Sequence, residues 1–260
     1  HFTPSFLLGL TATPNRTDGS DILELCDKNL IYQQDLFDGV KADVLCPFSY
    51  FGIFDKEVDY EHLPWRNGKF APEKLSNKLA TKGRAKHVFT EWKSKSQDVS
   101  LAFCVSRKHA DYMADYFNQQ GVAAASVHSD SSLTRSEALE KLNNGKIKIL
   151  FSVDLFNEGV DLPKIDTVLM LRPTESKILF LQQMGRGLRK SEGKDRLIIL
   201  DFVGNHHSFL NRPEMLLASI IDGSQGRKKM VDLAKNANKL LPAGCYVNFD
   251  LEFIDFLTSI

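Results

Sequence analysis
The chain has no net charge. Its 33 Lys and Arg balance 33 Asp and Glu over 260 residues, so no global field draws it to a polyanion, and any such partner must be met by a local patch. Cysteine is scarce. Cys26, Cys46, Cys104 and Cys245 lie far apart, with no C-x-x-C and no Cys/His spacing, which argues against a zinc site. Lone thiols in apolar runs such as Ala102-Phe103-Cys104-Val105 fit buried residues in a reducing cytosol. No apolar stretch is long enough to span a bilayer and the start is no signal peptide, so a cytoplasmic location without a membrane partner is expected. The opening His1-Phe2-Thr3-Pro4 lacks Met and abuts a strand-like run, and the last helical stretch has no stop signal. Both ends read as cut from something longer. Internal repeats, low-complexity tracts and a nuclease-like PD-(D/E)-x-K carboxylate cluster are missing as well.

What is present is ordinary globular composition, 43% hydrophobic and 25% charged, enough for one large domain or two small ones. Phe6 to Leu10 is a short apolar run stopped at Pro14. Residues 21–39 read as helical segments closed by Gly39, Val44 to Ile53 as a strand, and 55–71 as an irregular insertion. From residue 72 the pattern alternates. A polar helix over 73–95 precedes the run Val99–Val105, and then come helix 107–120, strand 122–127, helix 132–143, strand 147–152, helix 154–158, strand 166–171, helix 175–188 and strand 196–202. Strands that are apolar throughout and alternate with helices predict an α/β class, a doubly wound parallel sheet covered on both faces. Beyond 205 the pattern gives helices 213–222 and 226–240, a short strand 245–249 and a helix 250–260.

Ligands of open parallel sheets sit beyond the carboxyl ends of the strands, which directs attention to the segment after each strand. Strand 147–152 leads into Ser152-Val153-Asp154-Leu155-Phe156-Asn157-Glu158-Gly159-Val160-Asp161-Leu162-Pro163. It reads equally as a capped short helix or as a backbone that approaches a nucleotide at Gly159 while Asp161 accepts from ribose hydroxyls. The helix after strand 166–171 carries Gln182-Gln183-Met184-Gly185-Arg186-Gly187-Leu188-Arg189-Lys190. Two glycines at a helix end each cost about 1 kcal/mol against alanine, which a purely structural helix has no reason to accept. Arg186 and Arg189, three apart on one helical face, offer planar and permanently charged donors to phosphate oxygens. Ser106-Arg107-Lys108-His109 and His128-Ser129-Asp130-Ser131-Ser132 both come directly after strands, and both suit either helix capping or a phosphate backbone. The 73–95 stretch holds Lys74, Lys78, Lys82, Arg84, Lys86, Lys93 and Lys95. It reads first as a solvated face and second as a nucleic-acid track.

Together these segments resemble the superfamily 2 helicases and translocases of the DEAD/DEAH type. Gly9-Leu10-Thr11-Ala12-Thr13-Pro14 resembles motif III, Phe103 to Arg107 motif IV and Ser152 to Pro163 motif V, while Gln182 to Arg189 fits the motif VI form Q-x-x-G-R-x-x-R. All four stand in family order, with wording closest to the branch of type III restriction subunits and repair motors of the UvrB kind. The resemblance implies a RecA-like second motor domain over 41–205, a remnant of the first motor domain over 1–40 and the start of a mainly helical accessory region over 206–260. It implies that Arg186 and Arg189, with Gln182, act on the γ-phosphate of ATP carried with Mg2+, and that Gly159, Asp161 and Gly185 approach the nucleotide. It further implies that Ser106, Arg107, His128, Ser129 and Asp154 track a nucleic-acid backbone, while Thr11 and Thr13 couple the ATP site to the interdomain cleft.

Two positions depart from the common pattern. Val153 stands where many members have a hydroxyl, and Gln183 where many have arginine. The chain contains no G-x-x-x-x-G-K-[ST] and no Asp-Glu-x-His or Asp-Glu-x-Asp. The phosphate loop and the magnesium-holding acid are therefore expected on the first motor domain, and this chain alone is expected to be inactive. The implied protein is an ATP-dependent DNA helicase or translocase acting on a single strand or a duplex. A motor of a restriction or defence nuclease, an RNA helicase and a non-catalytic binding module are the alternatives.

Overall fold
The computed structural model describes residues 7–9, 22–32, 34–67, 69–153, 155, 162, 164–173, 177–209, 216 and 236–259. Its framework is one sheet of seven strands, all parallel, in the order β5-β6-β4-β7-β8-β1-β9. The strands are β1 (Phe48–Phe54), β4 (Ser100–Phe103), β5 (Ala124–Val127), β6 (Ile149–Ser152), β7 (Thr167–Met170), β8 (Leu197–Val203) and β9 (Tyr246–Phe249). Every residue of β4, β6, β7 and β8 is buried, whereas the edge strands β5 and β9 are partly exposed. That gradient is what a sheet covered on both faces requires, and it is why the central strands read as unbroken apolar runs.

Successive residues point to opposite faces. Leu101, Phe103, Leu150, Val168, Met170, Leu197 and Ile199 join Phe180 and Met184 of α6 (Lys177–Gly185) and Leu142 of α5 (Arg135–Asn143) in one core. Ala102, Cys104, Phe151, Leu169, Ile198 and Leu200 join Val88 and Trp92 of α3 (Lys82–Lys95) and Met113 and Phe117 of α4 (Arg107–Gln119) in the other. The expected doubly wound α/β architecture is therefore the one observed. Residues 246–259, expected within an accessory region, extend this same sheet: β9 pairs with β1, and Asp250 caps α7 (Leu251–Ser259) while accepting from the Phe54 N–H at 2.6 Å.

Several local expectations are corrected. Gly39 does not close a helix but lies inside α1 (Leu36–Lys41), where a Cβ would meet Leu45 at 2.7 Å. The insertion over 55–71 contains a hairpin, β2 (Trp65–Arg66) with β3 (Lys69–Phe70), turned at Asn67 with φ +51°. The basic run over 73–95 is two helices, α2 (Pro72–Leu79) and α3, because Ala80 leaves the helix and Thr81 is extended. Helix α5 is capped by Thr134 with Glu137, not by Ser131 or Ser132. Helix α6 stops at Gly185 rather than at 188. Of the first expected strand, Leu7–Gly9 are described and form no strand, while most of the helices expected at 154–158, 213–222 and 226–240 lie outside the described residues. Among those described, no helix is long and apolar enough to cross a membrane and no cluster of metal-binding side chains occurs.

Candidate functional site
The polar segments after β4 and β5 meet at the carboxyl edge of the sheet. Ser106 is the N-cap of α4, accepting from the His109 N–H at 3.1 Å, and its hydroxyl lies 2.6 Å from that of Ser76 on α2. Lys108 Nζ donates to Asn77 Oδ1 at 2.6 Å, so two bonds tie α2 to the start of α4. Arg107 is exposed and ion-paired with Asp130 of the loop after β5. Ser129 is exposed, but the His128 side chain is only 8% exposed. Its Nδ1 accepts from the Asp130 N–H at 3.3 Å, so the proton sits on Nε2, which donates to Asp111 at 2.9 Å. His128 thus shapes the loop from within, and Arg107 and Ser129 form its outer surface.

Beneath this edge lies a buried polar cluster for which the sequence carries no motif. Arg84, 1% exposed, donates through Nε to Asp55 Oδ2 at 2.8 Å, through Nη1 to His109 Nε2 at 3.0 Å and through Nη2 to the Leu171 carbonyl at 3.2 Å. It joins the ends of β1 and β7 to the start of α4. The Tyr60 hydroxyl donates to the same Asp55 oxygen at 2.6 Å, while Asp55 Oδ1 is buried with no hydrogen-bond partner among the described residues. Burial disfavours the Arg84 charge, but the Asp55 carboxylate outweighs it and the guanidinium pKa rises. Burial, aided by the Arg84 charge, pushes His109 well below its usual value, so this ring is neutral and accepts from Arg84. Arg84 is unreadable in sequence because it is one of seven bases in a run whose other members have no reason to be buried.

The Gln182–Arg189 segment lies at the opposite edge. Strands β7 and β8 are parallel neighbours, so α6 must return the chain to the amino end of the sheet before β8 begins. The contacts agree: Arg189 bridges Leu45, and the Cys46 N–H donates to the Leu188 carbonyl at 2.9 Å, both just before β1. Because α6 ends at Gly185, Arg186 occupies a turn and Arg189 an isolated bridge, so the expected shared helical face is replaced by a folded-back loop. Lys194 Nζ binds the carbonyls of Gly187 and Arg189, the latter at 3.0 Å, and burial lowers its pKa. Gln182 and Arg186 are half-buried and Arg189 is exposed, while Gln183, the departure from the common pattern, is fully buried. The two glycines separate. A Cβ on Gly187 would fall 2.2 Å from Leu197 Cδ1, whereas one on Gly185 would meet nothing within 4 Å. Packing therefore demands Gly187 but makes no demand at Gly185, which is exposed beside Arg186. Thr11, Thr13, Asp154, Gly159 and Asp161 lie outside the described residues.

Residues 82–191 match the helicase conserved C-terminal domain. The chain is 29% identical over 203 residues to the ATP-dependent helicase IRC3 of Saccharomyces cerevisiae, covering 76% of this chain and 29% of that protein. It is 26% identical over 170 residues to UvrABC system protein B of Bifidobacterium longum, covering 62% of this chain and 21% of that protein. A fragment structure described as an HsdR subunit of a type I restriction enzyme from Vibrio vulnificus superposes with TM-score 0.57 at 27% identity, covering 74% of this chain and 38% of that one. Residues 82–191 thus carry the conserved C-terminal domain of a helicase. The chain is a helicase C-terminal domain related to restriction-enzyme motor subunits, and it spans less than a third of the length of IRC3 or the UvrABC protein. The Arg107 and Gln182–Arg189 edges both fall inside the helicase match, whereas β1, β8, β9 and α2 lie beyond it.

Proposed function
We propose that this helicase domain is the second motor domain of an ATP-dependent DNA helicase or translocase. Gln182, Gly185, Arg186 and Arg189 face ATP at the amino edge, and Arg107 and Ser129 track a DNA backbone at the carboxyl edge. The observation that carries this is the pair of glycines. Gly187 is explained by Leu197, and Gly185 is left open beside a half-buried arginine, as expected where a nucleotide is to approach the backbone. Bound ATP supplies the γ-phosphoryl group, whose charge Arg186 and Arg189 stabilise in transfer. The phosphate cradle and the Mg2+ ligands come from the first motor domain, since the sequence has neither motif. Residues 41–205 with β9 make up the second motor domain, and residues 1–40 belong to the first.

In the protein carrying both motor domains, Arg186→Ala or Arg189→Ala is expected to lower the DNA-stimulated ATPase kcat by about 10^3-fold or more, with nucleotide affinity changed far less. Steady-state hydrolysis beside a nucleotide-binding titration checks it, and an unchanged kcat in both variants would sink the arginine-finger role. A second reading, a motor serving a restriction or defence nuclease, is favoured by the likeness to the HsdR fragment. Co-purification of the protein with a nuclease subunit separates that reading from a free-standing helicase.

A further inference from the structure
We propose that α2 is part of the DNA track, with Lys74 and Lys78 holding phosphates of a single strand next to those at Arg107 and Lys108. This rests on the proposed DNA backbone path along the carboxyl edge. In a chain without net charge, a backbone site has to be a local concentration of cations. The seven bases over 73–95 are not one face, because the break at Ala80 and Thr81 divides them between two helices placed differently. On α2, Leu75, Ser76 and Leu79 are buried, which leaves Lys74 and Lys78, one helical turn apart, on the exposed side with Asn77. Asn77 receives Lys108 and Ser76 meets Ser106, so this exposed side is fixed against the start of α4. There the open backbone N–H groups add positive potential.

Helix α3 differs. It leads into β4, so it descends toward the amino edge, and Lys93 and Lys95 stand in its last turn. Lys86 and Lys93 line an open groove with Phe89, Thr90 and Tyr116 on the outer face of α3 and α4, and Lys95 is paired with Glu91. Arg84 is buried. The α2 lysines continue the surface of Arg107, because Ser76 and Asn77 tie their helix to the start of α4. Two acids stand nearby, Glu73 in the first turn of α2 and Asp130 paired with Arg107, so the cation surplus of this surface comes from Lys74, Lys78 and Lys108. The contacts are to backbone charge alone, so binding is indifferent to base identity and steeply salt-dependent.

The test titrates a fluorescent oligothymidylate with the chain across a salt series, comparing the parent with Lys74→Gln/Lys78→Gln, with Lys86→Gln/Lys93→Gln and with Lys74→Arg/Lys78→Arg. Removing two phosphate contacts from a single strand is expected to flatten the slope of log K against log salt by about 1.4, at about 0.7 per contact. The α3 pair is expected to keep the parent slope and the arginine pair to restore it. A parent that binds while the α2 glutamine pair retains the full slope would overturn the role of α2. A parent without salt-dependent binding would overturn the carboxyl-edge path together with it. Thermal unfolding of each variant, unchanged for exposed lysines, guards against a fold defect.

Discussion
Gly185 and Gly187 stand two residues apart and answer to different demands, which makes them a paired test of site against scaffold. Gly187→Ala forces a methyl into Leu197 and is expected to destabilise the fold by about 1–3 kcal/mol. Gly185→Ala enters open space at a helix end, so its effect on stability is expected to stay within about 1 kcal/mol, while DNA-stimulated ATP hydrolysis of the two-domain protein falls. Denaturant unfolding and steady-state turnover check both, and equal destabilisation by the two would remove the distinction. Arg84 is the other residue with a sharp expectation. Arg84→Met strands the Asp55 carboxylate, already lacking a partner on Oδ1, and is expected to lower stability by about 3–5 kcal/mol, measured by urea unfolding. The sequence displays Gly185 and Arg186 through their motif but gives no sign of Arg84, because burial of a charge depends on partners far along the chain.

At the scale of elements, the strands were legible because central parallel strands must be apolar throughout, and their order along the chain comes from alternation. Helix ends were less so. The break between α2 and α3 rests on the conformation of Ala80 and Thr81, neither of them a strong breaker, and the stop of α6 at Gly185 depends on Lys194 and Cys46 seizing the next carbonyls. The hairpin of β2 and β3 was not legible in the irregular stretch 55–71, because it is held by tertiary contacts. Trp65 and Phe70 both pack on His206, each with ring centroids 4.8 Å apart. Burial and the neighbouring His207 push His206 down to about 4 from 6.5. Between those values the unfolded chain takes up a proton that the folded chain refuses, so this ring's contribution to stability declines as pH falls. Asp166 and Asp250, raised by burial, act in the opposite sense. The expected outcome is therefore a difference: His206→Asn loses less thermal stability than the parent on moving from pH 7 to pH 5.

Across the whole molecule, the two candidate edges lie at opposite ends of the strands, about 13 Å apart for four residues. With neither a phosphate loop nor a magnesium-binding acid box in the sequence, the chain on its own is expected to show no ATP hydrolysis above buffer. A phosphate-release assay checks this, and turnover abolished by Arg189→Ala would contradict it. The place of β1 has a separate consequence. The earliest described strand lies between β8 and β9, partners about 150 and 200 residues later in the chain. During synthesis β1 must therefore emerge and wait unpaired, with its apolar face open to chaperones or to neighbouring chains, until β8 has been made. The middle of the sheet, β4 to β7, can assemble before it. The middle of the sheet is thus expected to form first and to capture β1 once β8 arrives.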